Sequence, residues 1–163
     1  LLIPVMALGS VLAAFVGQNV GAGNKKRAKE SYIASRNVAL IITIIGSIVL
    51  FPLREQLIGI LTNDRETLLN GMEYMFWVLL TQPFMAMFQN YMGVFNGSGN
   101  TRYSFYMATA RLWILRLPMI LFMKNFTDIG HVGIWYAMVL SNLLIMFYGS
   151  WLFSKVKFTK RVS

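Results

Sequence analysis

The sequence contains no cysteine, one histidine and six acidic residues among its 163 residues. Without cysteine there is no disulfide framework, no thiolate metal site and no cysteine nucleophile. One histidine and six carboxylates leave little for general acid–base chemistry or for a His/carboxylate metal centre. No G-x-x-x-x-G-K-[ST] segment occurs, and Gly21-Ala22-Gly23-Asn24-Lys25-Lys26 lacks the third glycine of a dinucleotide fingerprint. The sequence therefore reads as a non-enzyme without an organic cofactor or a bound metal. Charge is scarce too: 13% of residues are charged and 56% are hydrophobic, with a mean hydropathy of +0.57. A water-soluble domain carries about 25% charged residues. That gap excludes an ordinary soluble domain and a disordered chain alike.

What is abundant is apolar sequence in long runs. About 20 apolar residues are needed to cross ~30 Å of hydrocarbon as a helix. Five runs approach or exceed that length: residues 1–20, 32–53, 67–92, 103–123 and 131–153. They are too long and too uniformly apolar for barrel strands, whose polarity alternates, so helices are expected. The predicted fold is all-α, a polytopic transmembrane bundle of about five spans. The chain opens Leu1-Leu2-Ile3-Pro4 with no initiator Met and no basic leader. This is not a signal-peptide pattern, and it reads as a piece of a longer polypeptide. Between the runs, residues 21–30 are expected as a basic loop and residues 54–61 as a short interfacial helix. Thr62-Asn63-Asp64 forms an N-cap signal, residues 96–100 a tight turn, and residues 155–163 a basic tail.

Fifteen Lys and Arg against six Asp and Glu give a net charge of +9. With five alternating spans, Lys25, Lys26, Arg27, Lys29, Arg36, Arg102, Lys155, Lys157, Lys160 and Arg161 share one side, against Arg54, Arg65 and Lys124 on the other. This bias marks the first side, and with it the C-terminus, as cytoplasmic. The expected partner is the lipid bilayer, with anionic headgroups near the basic side. Nucleic acid is not expected, because the positive residues lack an aromatic, base-stacking context.

Several residues inside the spans are candidates for function. Pro52, Pro83 and Pro118 each free the carbonyl four residues back, namely those of Ile48, Leu79 and Ile114. In lipid each such carbonyl needs another donor or a wet cavity, so Pro83 and Pro118 are expected as helix kinks. Arg111 and Arg116 fall within the fourth span, where a charge faces the bundle interior or water. The nearest carboxylate candidate for Arg116 is Glu73. Gln82, Asn90, Arg111 and Asn142 are the candidate cavity residues; helix-to-helix hydrogen bonding is the competing reading for the amides. Gly17-xxx-Gly21 and Gly93-xxx-Gly97 have the spacing for close helix approach.

Gly17-Gln18-Asn19-Val20-Gly21-Ala22-Gly23-Asn24-Lys25-Lys26-Arg27-Ala28, directly after an apolar run, resembles the G-Q-N-x-G-A-G-x-x-x-R-A signature of multidrug and toxic compound extrusion (MATE) transporters. Its matching positions are Gly17, Gln18, Asn19, Gly21, Gly23 and Arg27. Asn96-Gly97-Ser98-Gly99-Asn100-Thr101, Arg116-Leu117-Pro118, Gly130-x-x-Gly133-Ile134-Trp135 and Leu61-Thr62-Asn63-Asp64 are similar to later family motifs, in order. The resemblance implies a two-lobe, twelve-helix transporter, of which this chain is the C-terminal part, missing the N-terminal lobe. It implies an antiporter of the plasma membrane that exports small cationic drugs or metabolites in exchange for Na⁺ or H⁺ by alternating access. The third span has no mid-membrane Asp or Glu, so no ion ligand is assigned here. Two alternatives are a flippase for lipid-linked saccharides, which needs more cationic groups than Arg111 and Arg116, and a non-transporting scaffold subunit, which needs no polar groups at the depth of Gln82 and Asn142.

Overall fold

The computed structural model describes residues 1–126, 132–156 and 158, and every element among them is helical. Helix α1 spans Leu2–Gly21, α2 Lys25–Gly59 and α3 Arg65–Gly97. The fourth stretch is α4 (Thr101–Thr109), a π-helical segment (Ala110–Arg116) and α5 (Leu117–Phe126); α6 spans Val132–Ser154. Four stretches, Leu2–Gly21, Lys25–Gly59, Thr101–Asn125 and Val132–Ser154, are long and apolar enough to cross a membrane. Helix α3 has 33 residues, about 50 Å at helical rise, so it is long enough as well. Its lower apolarity follows from its place: α1, α2 and α6 all pack on it. Ten of its residues are buried, including Gln82 and Asn90. A helix shielded from lipid by its neighbours tolerates polar groups that a lipid-facing one does not. Helix α2 is the converse, exposing Ile41, Ile44, Ile45 and Ile48 as an outward apolar stripe.

Two connections differ from the sequence expectation. The basic residues Lys25–Lys29 are not a loop but the opening turns of α2. Lys, Arg, Ala and Glu are good helix formers, and Asn24 caps the helix by accepting a 3.1 Å bond from the Arg27 amide at its Oδ1. Nor is 54–61 a separate interfacial helix: α2 runs on through Pro52 to Gly59. At 35 residues, α2 is about 50 Å long and outruns ~30 Å of hydrocarbon. The reversal between α1 and α2 is compressed into Ala22-Gly23-Asn24, with Gly23 at φ +75°, a conformation that favours glycine. The expected turn before the fourth span is similar, with Gly99 at φ +73°. The predicted cap of α3 forms: Asp64 Oδ2 accepts from the Thr67 amide at 2.8 Å and from its hydroxyl at 2.7 Å. These bonds favour the ionised form and hold the Asp64 carboxyl below its ordinary range.

The α1–α3 crossing is set by small residues. A methyl group on Gly93 would come within 2.5 Å of the Gly9 carbonyl oxygen, and one on Gly97 would strike the Ala13 carbonyl. Gly93 and Gly97 thus act as expected. On α1, however, the facing positions are Gly9, Ala13 and Gly17, while Gly21 faces open space. At the end of the bundle near the α1–α2 turn, Tyr32 of α2, Tyr91 of α3 and Phe153 of α6 form one aromatic cluster, with centroids 4.4–6.1 Å apart. It joins three spans in the main apolar core. Of the basic tail, Lys155 lies 3.5 Å from the centroid of the Trp151 ring; Lys157, Lys160, Arg161 and Ser163 lie outside the described residues, as does His131.

Candidate functional site

Pro83 interrupts the bonding of the central helix, and its consequence is local and specific. Having no N–H, it leaves the Leu79 carbonyl without its helical donor. The carbonyl is supplied instead from the neighbouring span: Ser47 Oγ of α2 donates to Leu79 O at 3.0 Å. Leu79 is 5% exposed, so water is not the substitute. Pro83 also lines two clefts. One, about 370 Å³, is apolar and lies between α2 and α3, with Ser47, Ile48, Phe76 and Leu79 on its walls. The other, about 350 Å³, lies among α2, α3 and α6 and is lined by Arg36, Asn37, Phe84, Met87 and Met146. Neighbouring Gln82 is 5% exposed, and its Oε1 has no hydrogen-bond partner. None of Gln82, Asn90, Arg111 and Asn142 lines these two clefts. The sequence reading missed Arg36 and Asn37 as cleft residues; the charge of Arg36 marked only topology there.

In the fourth span the kink expected at Pro118 appears as a change of helix type. Seven residues before it, Ala110–Arg116, are π-helical, and the Leu117 amide donates to Leu112 O, five residues back. A wider turn relieves the clash of a proline ring with the carbonyl four residues earlier. Arg111 and Arg116 lie in this segment. Arg116 does not reach Glu73. Its Nη2 donates to Asn142 Oδ1 at 3.1 Å and its Nε to Ser141 Oγ at 3.4 Å. The guanidinium is thereby held by two neutral acceptors on α6, and Asn142 serves as its tether. Arg111 lies over the Phe88 ring of α3, 4.6 Å from its centroid, while its buried Nε has no acceptor.

Asn90 is fully buried and makes an interhelical tie. Its Oδ1 accepts from Ser35 Oγ of α2 at 2.7 Å, and its Nδ2 donates to Ala86 O at 2.9 Å. Of the four predicted cavity residues, then, two act in links between helices, Asn90 to α2 and Asn142 to Arg116. Gln82 and Arg111 each keep an unsatisfied buried atom. The motif after the first helix has a structural part in the turn. The Asn24 amide donates to Asn19 O at 2.8 Å, Asn19 Nδ2 donates to Phe15 O at 2.8 Å, and the Gly17 backbone lies against Gly97. Gln18 and Arg27 flank that turn.

Comparison with known proteins bears on the whole bundle. The family model MatE matches residues 1–122. A probable multidrug resistance protein NorM of Thermotoga maritima is 25% identical over 91% of this chain and 33% of its own length. A protein of the same description from Halalkalibacterium halodurans is 24% identical over 82% of this chain and 29% of its own length. The chain thus spans about a third of the length of these curated relatives. A solved inward-facing multidrug resistance MATE family transporter of the MOP superfamily superposes with a TM-score of 0.84 at 14% identity, covering 94% of this chain and 36% of that one. The eukaryotic MATE transporter AtDTX14 gives 0.82 at 17% identity, with 94% and 34% covered. The fold, five helical stretches around a proline-broken centre, is that of these transporters. With the family model covering residues 1–122 of 163, the chain belongs to the MatE family.

Proposed function

We propose that this chain is the C-terminal part of a membrane antiporter that expels small cationic drugs or metabolites in exchange for Na⁺ or H⁺. Its closest partner in that reading is the remaining, N-terminal lobe of the same polypeptide. The observation that carries the proposal is the family match across residues 1–122, joined to relatives described as multidrug resistance proteins. The two lobes rock against each other around a central cavity. In this lobe, the break at Pro83 supplies a bending point whose freed carbonyl stays bonded to Ser47. No mid-membrane carboxylate lies on α3 in this chain, so coupling to the ion falls to the other lobe. The protein resides in the plasma membrane with its C-terminus and the α1–α2 turn in the cytoplasm, supported by the ten-to-three bias of positive residues. Dye accumulation in cells expressing the complete polypeptide tests the proposal. Lower accumulation of a lipophilic cation, abolished by dissipating the ion gradient, is the expected result. Unchanged accumulation with the protein present in the membrane would count against it.

A further inference from the structure

Arg36 and Arg54 bracket the apolar part of α2. They are eighteen residues apart, about 27 Å at helical rise, which matches the ~30 Å of the hydrocarbon layer. Arg36 therefore lies at a headgroup boundary, at the end of the bundle that also carries Lys25, Lys26, Arg27 and Lys29. Side chains of a helix lean toward its N-terminus. The Arg36 guanidinium does so, lying 5.8 Å from the centroid of the Tyr32 ring one turn earlier. Its Nε and Nη2 donate to Asn37 Oδ1 at 3.2 and 3.0 Å. One neutral oxygen thus occupies one edge of the fork. Among the described residues no acceptor meets Nη1, so the other edge is free.

From Arg36 a groove runs into the membrane. The cleft of about 350 Å³ that Arg36 lines and the apolar one of about 370 Å³ share Pro83. Arg36, Leu40 and Ile44 follow one another on α2 at every fourth position, and Met87, Pro83 and Leu80 do so on α3 at every third or fourth. Each set therefore lies on one helix face, and the two clefts form one groove. At the basic end, Tyr32 of α2 and Phe153 of α6 close it with ring centroids 4.4 Å apart. Deeper in, Ile44 and Leu80 are exposed, so the groove opens sideways. Arg36 to Ser47 is eleven residues, about 16 Å, half of the hydrocarbon thickness and so the depth of one leaflet. A guanidinium at the mouth repels a lipophilic cation, whereas its free edge matches a phosphate. Residues 25–30 hold four positive side chains and one acid, Glu30, which favours a headgroup of net negative charge.

We propose that the α2–α3 groove binds one anionic phospholipid from the leaflet at the basic end of the bundle, its phosphate on the free edge of Arg36 and one acyl chain laid past Leu40 toward Pro83. Asn37 and the Tyr32 ring fix the guanidinium at the mouth. The chain fills the apolar space that the α2–α3 packing leaves around Pro83. The site depends neither on what is exported nor on which side of the membrane the basic end faces.

The test uses the complete polypeptide, delipidated in detergent, and two lipids with the same acyl chains, phosphatidylglycerol and phosphatidylcholine. Affinity is read by native mass spectrometry. The position of the chain is read by photo-cross-linking with versions that carry a diazirine in one acyl chain. One phosphatidylglycerol is expected to bind about tenfold or more tighter than phosphatidylcholine, with label in peptides covering residues 36–48 and 80–87. R36Q is expected to weaken phosphatidylglycerol by about tenfold. R36K keeps the charge but loses the fork, and is expected to weaken it by an intermediate factor. Leu40→Trp fills the groove without touching charge and is expected to remove the label and weaken both lipids alike. Where R36Q does not fold, R36K and Leu40→Trp carry the comparison. Unchanged phosphatidylglycerol binding in R36Q assigns the lipid to the basic surface at large and overturns the proposal. Absence of label from the groove of the wild type, as when the N-terminal lobe covers it, overturns it too. So does displacement of the label by tetraphenylphosphonium, which makes the groove a path for cations. Arg36-dependent lipid binding in a protein that exports no dye sustains the proposal and counts against the export reading alone.

Discussion

The bond from Ser47 to the Leu79 carbonyl makes a quantitative prediction. Ser47→Ala removes the donor that, among the described residues, replaces the one Pro83 lacks, and the carbonyl belongs to a residue that is 5% exposed. Hydrogen bonds between membrane helices are worth on average ~0.6 and at most ~1.7 kcal/mol, whereas orphaning a buried acceptor costs about 1–3 kcal/mol. A loss of about 1–1.5 kcal/mol is expected, tenfold in the unfolding equilibrium at the upper end. The decisive comparison is with Pro83→Ala, which restores an amide N–H at position 83 and lets the helix bond Leu79 O itself. In that background Ser47→Ala should cost under about 0.5 kcal/mol, giving a coupling of about 1 kcal/mol between residues far apart in sequence. The four variants are compared by reversible unfolding in mixed micelles with increasing SDS. Equal costs of Ser47→Ala in both backgrounds would refute the reasoning, because the hydroxyl would then be serving something other than the proline break.

Three further perturbations follow from the same structure. Asn142→Leu leaves Arg116 with the long bond to Ser141 alone and should destabilise by about 2 kcal/mol, read as a lower melting temperature in detergent; Asn142→Asp, which offers a carboxylate, should melt no lower than the wild type. Gly93→Ala forces α1 and α3 apart at the Gly9 carbonyl and should cost about 1–3 kcal/mol, whereas Gly21→Ala, facing open space, should cost under about 0.5 kcal/mol in the same melt. The Asp64 carboxyl is held below its ordinary range in the folded protein by Thr67. Its contribution is therefore complete above the unfolded-state value and is lost as pH falls through the lower folded-state value. Protection factors of the amides in the first turn of α3, with intrinsic rates divided out, should fall on acidification across that window, and Asp64→Asn should flatten the dependence.

Much of the fold was legible because the bilayer enforces it. Spans, turns and the Asp64 cap could be read from the lengths of apolar runs, from Gly23 and Gly99, and from Thr62-Asn63-Asp64, since each has one local physical cause. The need of Leu79 for a foreign donor was legible as well; the identity of Ser47 was not, because it depends on how α2 and α3 align. The same holds for Asn142 beneath Arg116 and Ser35 beside Asn90, pairs 26 and 55 residues apart. Glu73 drew attention by its charge, but the acceptors that hold Arg116 are Ser141 and Asn142 on α6. The basic stretch after Asn24 was read as a loop because charge usually leaves a membrane. It is a helix instead, because its residues favour that state and Asn24 caps it. The π-helical register carried only one sequence signal, Pro118, and its effect on Arg111 and Arg116 needs the backbone itself.

The central claim, a lipid-spanning bundle whose basic end faces the cytoplasm, is open to a clean labelling experiment, since the chain has no native cysteine. Single cysteines at the exposed positions Ala22, Asn63 and Lys155 are treated in intact cells with a membrane-impermeant maleimide. Labelling of Asn63→Cys alone, with Ala22→Cys and Lys155→Cys reacting only after permeabilisation, is the predicted pattern. Labelling of Ala22→Cys from outside, or of Ala22→Cys and Asn63→Cys from one side, would contradict it.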